Sequence, residues 1–144
     1  MKFPSQEWVR AAAQALSADP SVKAAHADFG DAVVGVVVQR GAGLDEDFCV
    51  LARLYRNKPF ELTFPEDEDE LEELEPDYLA FISHELARGF LQAALRGERP
   101  DVLRAVLDRK IKLKGDLQRV VRMAGKHEGA GAGTLRALPT EFLP

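Results

Sequence analysis

One cysteine, Cys49, stands in 144 residues, so neither an internal disulfide nor a thiolate metal cluster can form. Its setting, Phe48-Cys49-Val50-Leu51, marks it as a small buried hydrophobe. Histidine is almost as scarce: His26, His84 and His127 fall in three separate segments, and no Ser-His-Asp or Cys-His motif accompanies them. His84-Glu85 has Arg88 at the fourth position after the histidine, so it lacks the second imidazole of a helical zinc motif. No catalytic set, no metal site and no cofactor is expected, and hence no enzyme. No apolar run approaches the length of a membrane span, and Met1 opens no charged-then-apolar leader. A cytoplasmic protein is the expectation.

Charge is present but unevenly placed. The net charge of -5 argues against non-specific nucleic-acid binding, yet Glu66 to Asp77 holds nine acids in twelve positions. Those carboxylates lack the spacing and turn glycine of a calcium loop and read as a solvated face. By contrast, Arg96 to Lys126 holds ten bases against four acids. The molecule should have an acidic and a basic side.

At this length and 46% apolar content, the chain suits one domain with a substantial core. Ser5 can cap a helix running to about Ala18, with Trp8, Ala12, Ala15 and Leu16 on one stripe. Asp19-Pro20 ends it, and residues 26–31 read as a connector. Valine-rich Ala32 to Arg40, then Phe48 to Arg56, then alternating Phe60, Leu62 and Phe64 predict three strands of an antiparallel meander. The spacing predicts a helix over Tyr78 to Leu95, opened by Pro76 and unusually broad in its apolar face. A short helix follows Pro100. In Lys110-Ile111-Lys112-Leu113-Lys114 apolar and cationic residues alternate as in a half-buried strand. Gly115 then permits a turn, and Asp116 can cap a final helix through Leu117, Val120, Val121 and Ala124. The glycines at 129, 131 and 133 read as a linker to a flexible or loosely docked tail. The domain assignment is thus 1–128 for the domain and 129–144 for linker and tail.

Ile111-Lys112-Leu113-Lys114-Gly115-Asp116-Leu117, preceded by Leu95-Arg96-Gly97-Glu98 and Val106-Leu107, resembles the closing segment of sterol carrier protein type two domains. Phe3-Pro4-Ser5-Gln6-Glu7-Trp8 and Leu138-Pro139-Thr140-Glu141-Phe142 are similar to the ends of its short stand-alone prokaryotic members. Where that family usually has glycine before the first lysine, this chain has Arg109, and residues 66–77 have no clear counterpart. The resemblance implies an α+β fold: a twisted, mainly antiparallel sheet of about five strands under helices, with an apolar tunnel between. It implies non-catalytic binding, with possible transfer, of a fatty acid, acyl-CoA, sterol-like or isoprenoid lipid. Facing places Phe48, Val50, Leu62, Phe64, Ile82, Leu86, Phe90, Ile111, Leu113, Val120 and Met123 on the tunnel wall. Lys110, Lys112 and Lys114 are the head-group candidates, and their alternative is the wet side of an edge strand. A lipid or acyl ester is the expected ligand, with transient contact to an anionic membrane, no nucleic-acid partner and a monomeric state. The competing function is an accessory module whose apolar groove receives a partner helix or the chain's own tail.

Overall fold

The computed structural model describes residues 1–127 and 129–144. Its elements in chain order are β1 (Lys2–Phe3), α1 (Gln6–Ala18), α2 (Pro20–Phe29), β2 (Ala32–Gln39), β3 (Phe48–Leu54), β4 (Glu61–Thr63) and α3 (Glu68–Glu73). They continue with β5 (Tyr78–Ser83), α4 (His84–Leu95), α5 (Val102–Leu107), β6 (Lys112–Lys114), α6 (Leu117–Lys126), α7 (Ala132–Arg136) and β7 (Glu141–Phe142). Five strands form one sheet in the order β4-β3-β2-β5-β6. Only the β2–β5 pair is parallel; its neighbours are antiparallel. The expected α+β class and mainly antiparallel five-stranded sheet are therefore present.

Two stretches fold differently from the expectation. Tyr78 to Leu95 is not one helix: residues 78–83 form a strand, and the helix starts only at His84, where Ser83 caps it by accepting a bond from Leu86 N at 3.1 Å. A strand covered on both faces has no polar alternation, so Tyr78-Leu79-Ala80-Phe81-Ile82 imitates a wide helix face. Residues 26–31 are not a plain connector either. Asp19 caps a second helix by accepting from Ser21 N at 2.8 Å with Pro20 in the first turn, and that helix runs to Phe29 before Gly30 ends it at φ 86°. The residue that ends α1 thus starts α2.

The two faces of the sheet follow from the register. Pairings Val37↔Cys49, Gly35↔Leu51, Gly35↔Leu79 and Val37↔Phe81 put these residues on one face. There they pack with Leu71 of α3 into a tight core, with Leu51 and Leu71 at 0% exposure. The acidic run, expected as a purely solvated face, is therefore a short helix held by one apolar side chain. Cys49 lies in this core, where burial first and then Asp47 and other nearby acids push its thiol up to about 11, so it stays protonated and inert. The opposite face carries Ala32, Val34, Val36 and Val38 of β2, with their partners Val50 and Ala52 on β3 and Ala80 and Ile82 on β5. Phe29 of α2 meets Tyr78, and Arg10 of α1 meets Phe64 beside Phe48, so the long helices lie over this side.

The helices also form a core of their own. Phe3, Trp8, Ala12 and Leu91 are buried together, and Leu135, Leu138 and Phe142 pack against them. β7 pairs parallel with β1, and Trp8 Nε1 donates to Thr140 Oγ1 at 2.9 Å. Thr134 donates to Asp19, and this bond, with those from Ser21, holds the Asp19 carboxyl below its ordinary value. The segment expected as linker and tail is thus docked on α1 and α4. Its glycines serve a backbone need: Gly129 and Gly131 take φ of 75° and 82°, which lets the chain turn between α6 and α7. The expected boundary at residue 128 lies outside the described residues.

The strand, turn and helix expected over residues 110–126 are all present, with Gly115 at φ 131° and Asp116 accepting from Arg119 N at 3.1 Å. Gly115 has no room for a side chain, since a Cβ there would lie 2.6 Å from the Tyr78 ring. Arg109 takes the left-handed conformation at φ 60° after α5, while Lys110 N closes the helix end by donating to Ala105 O at 2.8 Å. Glycine favours that conformation and arginine does not. Arg109→Gly is expected to raise stability by about 1 kcal/mol, a strain release partly offset by a more flexible unfolded chain. A higher urea midpoint with an unchanged slope is the expected readout; a lower midpoint would mean that the Arg109 side chain contributes more than its backbone costs.

Candidate ligand site between the sheet and the helices

Burial differs between the two faces of the sheet. The face covered by the single short helix α3 is sealed: Val37, Cys49, Leu51, Leu79 and Phe81 are all buried. The face under the long helices is not. Val34 and Val36, at the middle of the central strand, are only half-buried, as are Val50, Ala52, Ala80, Ile82 and Leu113 around them. Burial returns at the two ends of this face, with Ala32 and Val38 of β2 and Tyr78 of β5. An apolar patch that water reaches in its middle but not at both ends means that the helices stand off the sheet there. Apart from α4, which also contacts β5 and β2, these helices pack mainly on each other: α1 on α2 and α7, α2 on α6, and α6 on α5.

A cavity of about 770 Å³ opens between α1, α2 and the chain from Arg56 to Leu62. That size falls within the range of small-molecule pockets. Its apolar wall includes Ala13, Val22, Ala27, Phe60 and Leu62, and its basic lining is Arg10, Lys23, Arg56 and Lys58, together with His26; no lining residue is an acid, but Asp31 pairs with Arg56 at 3.6 Å. His26 is fixed by a 3.0 Å contact of Nε2 with Leu54 O and by the Phe60 ring 5.8 Å away. A second hollow of about 240 Å³ lies between α2 and α6 and is lined by Asp28, Asp116, Arg119, Arg122, Met123 and Lys126. Lys126 and His127 both contact Asp28, at 2.9 and 2.6 Å, and hold its carboxyl below the usual range.

Of the eleven residues proposed for the tunnel wall, the register puts Phe48, Val50, Leu62, Ile82 and Leu113 on the helix-facing side of the sheet. Phe64 joins them through its ring contact with Phe48, 5.9 Å between centroids. Leu86 and Phe90 are half-buried on α4, and Val120 and Met123 on α6. Ile111 is buried just before β6, its N–H bonded to Ala105 O. Leu62 lines the larger cavity and Met123 the smaller one. The three lysines sit elsewhere. Lys112 and Lys114 pair with Phe81 and Leu79 and so share the sealed face; Lys114 lies 3.6 Å from Glu72 and 5.5 Å from the Phe81 ring centre. Lys110 is exposed beyond the strand. None of the three lines the larger cavity, whose cations come from α1, α2 and the β3–β4 turn. Sequence reasoning missed that set because it missed α2, although Asp19-Pro20 is a usable start signal. His84, the other histidine singled out, is fully buried, with Nδ1 2.7 Å from Gly41 O and no partner for Nε2 among the described residues.

The fold recurs in solved structures. A solution structure from Thermus thermophilus, a conserved hypothetical protein described as possibly a sterol carrier protein, superposes with a TM-score of 0.64 at 13% identity, covering 95% of this chain and 90% of its own. A crystal structure of sterol carrier protein 2 does so with a TM-score of 0.63 at 16% identity, covering 94% and 98%. A ubiquinone synthesis protein, UbiJ-SCP2, gives 0.51 at 12% identity, covering 93% of each. No protein-family model and no curated protein matches the sequence. The chain has the sterol carrier protein 2 fold.

Proposed function

We propose that this protein binds a lipid with an anionic head, such as a fatty acid or acyl-CoA ester, between its sheet and helices, and passes it on without making or breaking a bond. The observation that carries the reading is the half-exposed middle of the helix-facing sheet, an apolar surface left open where the fold could have sealed it. The cavity lined by Arg10, Lys23, Arg56 and Lys58 supports the sign of the head group, since four cationic side chains, of which Arg56 alone pairs with an acid (Asp31) among the described residues, favour a carboxylate or phosphate. A sterol carrier protein and a possible one among the structural neighbours fit a lipid cargo. In this reading the protein is a cytoplasmic monomer that meets membranes transiently, and among the described residues no helix is long and apolar enough to cross one.

The magnitudes suit a carrier. A fatty acid of about eighteen heavy atoms at about 0.3 kcal/mol each, plus about 1 kcal/mol from a partly exposed ion pair, gives a dissociation constant of tens of micromolar. Cargo held that weakly can also leave. A fluorescent fatty acid should bind at one site per chain, be displaced by long-chain acyl competitors, and bind at least several-fold more weakly to Arg56→Gln/Lys58→Gln. Native mass spectrometry of freshly isolated protein should show acyl mass adducts. Absence of binding for every acyl, sterol and isoprenoid probe at high micromolar concentration would refute the reading. The likeness to a ubiquinone synthesis protein favours a second one, an accessory module that presents a ligand to partners. A stable protein complex in place of lipid adducts would select it.

A further inference from the structure

We propose that α5, the turn after it and α6 form a docking face for an anionic lipid bilayer, a surface separate from the ligand cavity. Among the described residues four large apolar side chains are exposed, and three of them fall here: Val102 at 46%, Leu107 at 59% and Leu117 at 43%. α5 and α6 lie against one another, and not one residue of α6 is buried although Leu117, Val120 and Val121 form an apolar stripe along it. Such a half-covered apolar face on a soluble fold marks a contact surface. Charge says which partner it suits. Without Lys112 and Lys114, which lie on the α3 side of the sheet, residues 101–126 carry six bases (Arg104, Arg109, Lys110, Arg119, Arg122, Lys126) against three acids (Asp101, Asp108, Asp116), and of the six Lys126 is paired with Asp28 of α2.

The acids are occupied: Asp101 and Asp116 cap α5 and α6, and Asp108 pairs with Arg104 at 3.1 Å. Arg109, Lys110 and Arg122 make no ion pair among the described residues. The acidic helix α3 packs on the other face of the sheet, where it engages Lys114, so its carboxylates do not neutralise this side. Arg109 adds a cation in the turn that closes α5, between exposed Leu107 and Lys110. Apolar side chains flanked by unpaired cations match the interface of an anionic bilayer, where the former enter the acyl boundary and the latter meet head groups.

Vesicle co-sedimentation of the full chain tests this. Wild type should pellet with phosphatidylcholine–phosphatidylglycerol vesicles at low salt and much less at high salt, and should stay in the supernatant with phosphatidylcholine alone. Arg109→Gly/Lys110→Gln should lower the partition constant about 25-fold, at roughly five-fold per cation removed. Arg40→Gln/Lys2→Gln removes as much charge elsewhere and should change it less than about three-fold. Leu107→Ser/Leu117→Ser, with the charge intact, should lower it about ten-fold. Fatty-acid displacement in solution should be the same for all these variants, which separates docking from the cavity. The proposal is overturned if wild type stays in the supernatant at low salt, if the two double charge variants lose equally, or if the leucine variant pellets like wild type.

Discussion

Leu71→Ala is expected to cost about 3 kcal/mol, within the range for deleting a fully buried leucine side chain. Leu71 is 0% exposed and touches the core formed by Val37, Cys49, Leu51, Leu79 and Phe81. Partial collapse should not refill the space, because the helix that supplies Leu71 to that face is α3, six residues long and strongly acidic. With its anchor gone, α3 has little to hold it: five of its six residues are Glu or Asp, and like charges at helical spacing repel. Urea unfolding should show the loss as a lower midpoint. Because α3 lies across the sheet from the cavity, fatty-acid affinity of the still-folded variant should hold within about two-fold. A loss under 1 kcal/mol would mean that α3 does not depend on this contact.

The second large effect is a contrast between two tryptophans placed on opposite faces. Ala80 lies on the half-exposed, helix-facing side and Cys49 on the sealed side at 3% exposure. If the proposed ligand lies over the half-exposed face, Ala80→Trp should weaken fatty-acid binding at least ten-fold while costing under about 1 kcal/mol. Cys49→Trp should overpack a dense core at about 3 kcal/mol or more. Titration of a fluorescent fatty acid together with urea unfolding reads both. Equal destabilisation by the two would show that the helix-facing side is as closed as the other, and the ligand reading would go with it.

Where residues report their own local structure, the sequence was readable. Ser5 and Asp116 cap the helices expected after them, valine density marked β2, and alternation marked β3, β4 and β6 as strands. The failures came where tertiary surroundings decide. β5 became part of a helix in the reading because a strand with neighbours on both faces carries no polar register marks. The same error supplied the unusually broad apolar face expected of that helix; the opening over Val34 and Val36 rests on separate observations. The basic lining was invisible because Arg10, Lys23, Arg56 and Lys58 come from three elements that only folding brings together. The lysines of β6 were conspicuous in sequence for a local reason, their alternation, and that alternation turns Lys112 and Lys114 toward α3.

The bond between Trp8 and Thr140 gives the molecule an optical handle. Trp8 is the sole tryptophan, and its indole is buried among Phe3, Leu91, Leu135 and Phe142, with its N–H on the terminal strand segment. Near-ultraviolet excitation at the red edge therefore reports on one place, the clasp where both chain ends meet α1 and α4. Emission should shift red when that clasp loosens and water reaches the ring, even while backbone circular dichroism still records an intact sheet. Quenching by acrylamide, measured against amide hydrogen exchange in β2 and β3, can thus time the release of the ends separately from the opening of the sheet, without a label.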